Sequence, residues 1–225
     1  MRTCGRRVGP REGTAVPGSP AASLLTGLRL TLVASSARGI KWQKAMKATP
    51  SDDWEAAMKA LRFVIEPEEG KSIGLGGLGV NFKLRGGETD KQFSVVEHPI
   101  DPGRLVPPHM HSREDEFSYV LQGRVGARVG DREAAAGPGS YILKPRGIMH
   151  TIGNAGPEPA RIMEILSPAG FERFFDEMGA VAETAEDPAE FFRRHDELGE
   201  QYGLRFSDDW VAELTGRYGL KLIGE

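Results

Sequence analysis

The stretch PPHMHSREDEFSYVLQG, residues 107–123, holds the densest group of candidate metal ligands in the chain. His109 and His111 are two of only five histidines, and three acids follow them within five positions. Residues i and i+2 of a strand point to the same side, so both imidazoles can face one interior. Two imidazoles and a carboxylate form part of a metal site. Because ligands on one strand cannot surround an ion, the stretch predicts a further ligand elsewhere in the chain.

A second stretch, GSYILKPRGIMHTIGN at residues 139–154, supplies that ligand as His150. The first stretch, extended back to Gly103, fits G-x5-H-x-H-x4-E-x6-G, and the second fits G-x5-P-x-G-x2-H-x3-N. The specified positions are Gly103, His109, His111, Glu116, Gly123, Gly139, Pro145, Gly147, His150 and Asn154. Complete and in this order, the two patterns resemble the sequence motifs of single-domain cupins, over about residues 98–168.

The resemblance implies an all-β fold, a cupin jelly-roll β-barrel with one metal ion inside. Carried over position by position, the implied metal ligands are His109, His111, Glu116 and His150. The motif glycines and Pro145 become turn residues, which their backbone preferences support independently. Asn154 matches a motif position, but we expect it in a turn and not at the metal.

Three neighbouring acids compete for the carboxylate position of the site. Glu114 and Asp115 are nearer to the histidines, but only Glu116 leaves six residues before Gly123. Glu116 also opens the β-type run EFSYVL. We therefore select Glu116 and expect Glu114 and Asp115 to lie in a solvated loop.

The two remaining histidines are not expected to bind metal. His98 ends a β-type run, and His195 lies between Arg194 and Asp196 on a predicted helix, so both are interpreted as structural or exposed. The glycines of IGLGGLG fit G-x-G-x-x-G, but the β-type run VNFKL follows them where a nucleotide site needs a helix. We interpret that segment as a glycine-rich strand or bend.

Walls for a substrate pocket are harder to assign from the sequence. Four apolar side chains could line an aromatic pocket, although core packing explains them equally well: Phe93, Met110, Phe117 and Met149. A second base near the metal would favour an isomerase, and the sequence offers Tyr119 and Tyr141 without placing either inside the barrel.

The chain divides into three segments by composition. Residues 1–48 carry nine Lys or Arg and one acid, a net charge of +8, whereas the whole chain carries −3. We interpret this basic leader as disordered, as a start codon assigned too early, or as a targeting segment. Residues 49–168 form the predicted barrel domain, which begins with a short helix capped by Ser51 and a strand–turn–strand over RFVIEPEEGKSI. Residues 169–225 form a predicted C-terminal helical extension.

Helix signals in the extension are clear. Four apolar residues follow the i, i+3, i+4, i+7 spacing of one helix face: Phe171, Phe174, Phe175 and Met178. Asp187 followed by Pro188 predicts an N-cap with proline at the first helical position. SDDWVAELTGRYG predicts a further helix that starts at Ser207, with Trp210, Leu214 and Tyr218 on its apolar face.

Three functions remain open at this level, and each uses a small-molecule ligand. The amino-acid sequence around the first motif resembles that of flavonol (quercetin) dioxygenase-like cupins. That resemblance implies that Glu116 is both a metal ligand and the catalytic base. The alternatives are a metal-dependent isomerase or decarboxylase and a non-catalytic binding protein. A site of three histidines and one glutamate suits a divalent Fe, Mn, Ni, Co or Cu ion, with Zn not excluded.

The net charge and the cysteine content limit which partners and which cellular compartment we expect. The net charge of −3 predicts no nucleic-acid and no membrane partner for the chain as a whole. Cys4 is the only cysteine, so no disulfide can form within one chain, which fits a cytoplasmic location. The family resemblance suggests a homodimer.

Overall fold

The computed structural model describes residues 63–225. The leader and the helix predicted after Ser51 lie outside the described residues. Within them the strands are β1 Ser72–Gly74, β2 Gly79–Leu84, β3 Ser94–Ile100, β4 Arg104–Leu105, β5 His109–His111, β6 Asp115–Gln122, β7 Val125–Val129, β8 Arg132–Ala136, β9 Tyr141–Lys144, β10 His150–Asn154, β11 Ala160–Ser167, β12 Leu204–Phe206 and β13 Lys221–Leu222. The helices are α1 Glu172–Thr184, α2 Pro188–Tyr202 and α3 Val211–Tyr218, with a 3-10 turn at Gly86–Glu88.

Two sheets form the predicted barrel. The first has the order β1-β2-β3-β11-β6-β9, and the second has the order β12-β5-β10-β4-β13, with β7 on β10 and β8 on β7. Side chains alternate along the strands, so that β11 turns Ile162, Glu164 and Leu166 inward and leaves the residues between them partly exposed. The all-β jelly-roll barrel with helices after it is therefore confirmed, and its inner faces meet in one apolar core.

Turns follow the glycines of the sequence patterns. Gly103 and Gly123 both have positive φ, +74° and +71°, but only Gly123 is crowded. A Cβ at Gly123 would lie 2.6 Å from the carbonyl oxygen of Pro159, so this turn requires glycine twice over. The IGLGGLG segment is the bend between β1 and β2, as expected.

The N-terminal part of the described chain departs from its prediction. A strand was expected to begin near Phe63, but residues 63–71 contain no strand. Phe63 and Val64 are exposed, 85% and 52%, and no described strand pairs with them. Apolar character alone was therefore a misleading signal for a strand here.

The C-terminal extension contains the expected helices and also two strands. All four residues of the predicted face on α1 are buried, and at the start of α2 the Asp187 carboxylate accepts a hydrogen bond from the backbone N–H of Glu190 at 2.8 Å. Helix α3 begins at Val211 and not at Ser207, because the N–H of Ser207 donates to the carbonyl of Pro108 at 3.1 Å. That bond extends the contact with the β5 segment by one residue, so Ser207 lies just after β12 and outside the helix.

Ion pairs attach the extension to the barrel. Asp176 of α1 lies 2.8 Å from the ammonium of Lys71 and also pairs with Arg85. Strand β13 runs parallel to β4, and β12 runs antiparallel to β5.

None of the helices within residues 63–225 is both long and apolar enough to cross a bilayer.

Candidate metal centre

Four side chains from three strands meet inside the barrel. They are His109 and His111 of β5, Glu116 of β6 and His150 of β10. One ligand atom of each lies within 4.8 Å of the others. His109 and His150 are directly opposite each other in the antiparallel pair of β5 and β10. The structure thus brings together all four residues that the sequence patterns selected.

Backbone carbonyls orient two of the imidazoles. Nδ1 of His109 lies 2.8 Å from the carbonyl oxygen of Pro107, and Nδ1 of His150 lies 2.9 Å from that of Ile148. A carbonyl oxygen can only accept, so in the neutral form of each ring Nδ1 carries the proton and Nε2 has the lone pair. This arrangement leaves Nε2 available to bind a cation.

A carboxylate orients the third imidazole, and it belongs to Glu114. Glu114 is only 6% exposed, and its Oε2 lies 3.4 Å from Nδ1 of His111. The expectation of a solvated loop was wrong for Glu114, because the turn after β5 folds its side chain back over His111 three residues earlier. Asp115 is the first residue of β6 and not part of a loop, but its side chain is about half exposed, and its ion pair with Arg146 lowers the pKa of Asp115 to about 2.

The cluster contains buried polar atoms that a cation would satisfy. Nε2 of His111 and Nε2 of His150 are buried, and neither takes part in a hydrogen bond. Both nitrogens face the Glu116 carboxylate. Its Oε1 lies 3.2 Å from His111 Nε2, and its Oε2 lies 2.9 Å from His150 Nε2. Unsatisfied buried polar atoms are costly, and three nitrogens with one oxygen fit a divalent transition metal. The residues present therefore fit a metal ion.

The Glu116 carboxylate attracts positive charge from the groups that contact it. Burial would raise the pKa of Glu116, but Lys144 and then His111 hold it well below its usual range. Burial would likewise lower the pKa of His111, yet Glu116 and Glu114 raise it to about 9. For His109, burial and the two other imidazoles lower the pKa well below 6.5. Positive charge beside Glu116 is thus stabilised.

Behind Glu116 lies a buried polar network that the sequence did not reveal. The ammonium of Lys144 is 2.9 Å from Glu116 Oε2 and also contacts Glu164. Glu164 accepts a hydrogen bond from Ser118 at 2.7 Å, and its other oxygen lies 3.2 Å from Nε2 of His98. All five side chains are almost fully buried. His98, expected to be structural or exposed, is one of the buried structural residues.

A small cavity of about 60 Å³ adjoins the cluster. One end is polar, with His109, Glu116, Lys144, His150 and Glu164 among its lining residues. The remaining wall is mostly apolar, and the extension supplies five of its aromatic rings: Phe171, Phe174, Phe175, Phe191 and Phe206.

The pocket residues considered from the sequence do not line this cavity. None of Phe93, Met110, Phe117 and Met149 borders it. Met110 stands between two inward-facing histidines and Phe117 follows inward-facing Glu116, so strand alternation directs both away from the interior. Tyr119 and Tyr141 also lie outside it, and Tyr141 is 67% exposed.

The aromatic wall touches the cluster directly. The ring of Phe171 packs edge-on against His111 with 4.4 Å between centroids, and Phe206 lies 6.3 Å from His109. The backbone of β12 pairs with β5, with Leu204 opposite His111 and Phe206 opposite His109. The extension therefore supports the strand that carries two of the candidate ligands.

Residues 97–166 match the family model of the cupin domain. The barrel is a cupin domain. All four cluster residues lie inside the matched part, and the C-terminal extension lies outside it.

Two curated proteins and a solved structure illustrate the similarity. The chain is 33% identical over 69 residues to the tetracenomycin polyketide synthase protein TcmJ of Streptomyces glaucescens, covering 31% of this chain and 46% of that protein. It is 28% identical over 132 residues to germin-like protein subfamily 2 member 2 of Arabidopsis thaliana, covering 56% and 57%. The structure of KdgF from Halomonas sp. has a TM-score of 0.44 and 20% identity, covering 48% of this chain and 96% of that one. The chain thus spans about half the length of the curated relatives it matches.

Proposed function

We propose that the protein is a metal-dependent dioxygenase for an enolisable or flavonol-like substrate, with the ion held by His109, His111, Glu116 and His150. The observation that carries this proposal is the convergence of three Nε2 atoms and one carboxylate on the polar end of an apolar cavity. Four protein ligands on a six-coordinate ion leave two positions for substrate and dioxygen.

Glu116 is the proposed base as well as a ligand. A bound divalent ion would acidify a substrate hydroxyl, and Glu116 would take that proton at a carboxylate oxygen. Because Lys144 holds the pKa of Glu116 low, Glu116 is a weak base toward an ordinary hydroxyl. This favours substrates whose hydroxyl is already acidic, such as enols and flavonols.

The apolar wall supports oxygen chemistry. Rings such as Phe171 and Phe206 exclude water from the space beside the cluster, and water exclusion protects reactive intermediates from side reactions. The titratable groups next to Glu116 are already paired, since Lys144 and Glu164 bind each other. This pairing gives less support to an isomerase, which needs a second base that is free to act.

Substrate size adds a requirement. The cavity of about 60 Å³ is smaller than the roughly 150 Å³ apolar cavity that accommodates benzene in another protein. Binding of a flavonol-sized molecule therefore requires the aromatic wall to move. Similarity to a polyketide synthase protein agrees with an enolisable substrate, because polyketide chains carry enolisable carbonyl groups.

The test begins with protein purified without oxygen. Its bound metal is measured, and O₂ consumption is then followed with a panel of flavonols, other enolisable phenols and a small β-diketone. His150→Ala should lose both metal and O₂ consumption, whereas His195→Gln, which alters a buried histidine of the cavity wall outside the cluster, should keep its metal. Full metal occupancy in His150→Ala would show that the ligand set is wrong.

The panel also separates the alternative functions. Metal-loaded protein that consumes no O₂ with any compound would exclude the dioxygenase proposal and favour a metal-dependent isomerase or decarboxylase, or a binding protein. The homodimer, the cytoplasmic location and the division into residues 1–48, 49–168 and 169–225 stay predictions beside this proposal.

A further inference from the structure

Two buried carboxylates lie side by side on the inner face of the first sheet. Glu116 of β6 is 2% exposed and Glu164 of β11 is 4% exposed, and these strands are neighbours. Glu164 stands opposite Ser118, two residues from Glu116, so both carboxylates point into the barrel from adjacent rows. Two like charges this close in an apolar interior destabilise each other unless a cation lies between them.

Lys144 is that cation. It stands directly opposite Glu116 in the pairing of β6 with β9, and its side chain is 2% exposed. Its ammonium contacts both carboxylates, and no other Lys or Arg of residues 63–225 forms an ion pair with either. Lys144 therefore links Glu116 to Glu164 within the barrel.

Two contacts besides the one with Lys144 hold the Glu164 carboxylate in place. One oxygen accepts the hydroxyl hydrogen of Ser118, and the other contacts His98, whose Nδ1 lies 2.9 Å from the carbonyl oxygen of Gly79. The anchor of Lys144 thus extends to the backbone of β2. A side chain held in this way can fix the position of whatever it contacts on its other side.

We propose that Lys144 is a positioning residue, which holds the Glu116 carboxylate against the three histidines by pairing with Glu116 and Glu164 at once. The proposal rests on the proposed function in so far as the cluster binds a metal. Groups that orient a metal ligand typically change metal affinity about 10- to 100-fold when they are removed.

Three variants and a control test this role. Lys144→Met removes the ammonium but leaves both carboxylates, whereas the double variant Lys144→Met/Glu164→Gln also removes the buried charge that Lys144 neutralised. Glu164→Gln alone keeps Lys144 and an acceptor oxygen for it. The control Arg146→Met removes a cation bound to Asp115, the neighbour of Glu116, but both members of that pair are about half exposed.

Two readouts are measured with Co²⁺ alone, without substrate or turnover. Chelator competition gives the affinity, and the visible absorption spectrum of bound Co²⁺ reports its coordination. We expect Lys144→Met and the double variant to lose affinity about 10- to 100-fold and to show an altered spectrum. Glu164→Gln and Arg146→Met should keep the wild-type spectrum, so that the change follows Lys144.

Different results would contradict the role of Lys144 and the proposed function. If the single or the double Lys144 variant keeps the wild-type affinity and spectrum, Lys144 does not position Glu116. The double variant decides this even if Lys144→Met fails to fold, because it contains no unpaired buried carboxylate at position 164. If the wild-type protein binds no Co²⁺ or other divalent ion, the proposed function itself fails.

Discussion

Removing the ring of Phe171 should destabilise the protein strongly, because this ring joins the C-terminal extension to the histidine cluster of the barrel. Phe171 is 2% exposed. Its ring centroid lies 4.4 Å from that of His111, 5.0 Å from Phe174 and 5.2 Å from Phe175. Phe→Ala substitutions in well-packed cores cost about 3–5 kcal/mol of unfolding free energy. That is a large part of the roughly 5–15 kcal/mol typical of a whole domain.

Urea denaturation followed by far-UV circular dichroism measures this cost. With a slope near 2 kcal/mol per molar urea, a loss of about 3–5 kcal/mol lowers the midpoint by roughly 1.5–2.5 M. Phe171→Leu keeps part of the buried volume and should lose less stability than Phe171→Ala. If Phe171→Ala shifts the midpoint by less than about 0.5 M at unchanged slope, the ring does not pack as described.

Further predictions concern turns, caps and pH. In chemical denaturation, Gly123→Ala should lower the free energy of unfolding more than Gly103→Ala. Both substitutions force alanine into a left-handed conformation, which costs about 1–2 kcal/mol, but only Gly123→Ala also clashes with the backbone of residues 159–160. Equal losses for the two variants would contradict the crowding at Gly123. Asp187→Ala should cost about 1 kcal/mol and leave the Co²⁺ spectrum unchanged, because only an exposed helix cap is lost. Ion pairing lowers the pKa of Asp176 below its usual 3.8, so its stabilisation is present above that pH and is lost as pH falls through the folded-state pKa. The stability advantage of wild type over Asp176→Asn, from urea midpoints, should therefore shrink in acid; an advantage independent of pH would refute the pairing.

The sequence selected four residues that the structure brings together, because fixed spacing in strands fixes the side to which residues point. His109 and His111 share a face by alternation, and the turn glycines return the chain so that His150 lies opposite His109. Glu114 was misjudged because a polar, charged loop usually faces solvent, whereas here one tight turn buries it against His111.

The network behind the cluster was missed for a different reason. Alternation with Ile142 in β9 is a signal that Lys144 points inward, but a lysine next to a proline is ordinarily read as a strand end. The pairing of Lys144 with Glu116, and the neighbouring position of Glu164, depend on which strands become neighbours. Local sequence patterns do not encode that order, and for the same reason they did not show that Phe206 pairs with the strand of His109.

The pairing of β12 with β5 has a consequence for biosynthesis. Residues 109–111 leave the ribosome long before residues 204–206, so the strand with two candidate ligands waits with one edge unpaired while the helices are still being made. Exposed strand edges are the usual starting points of aggregation in incomplete chains. A nascent chain of this protein should therefore be most vulnerable at strand β5, and premature termination before residue 204 should yield an aggregation-prone barrel.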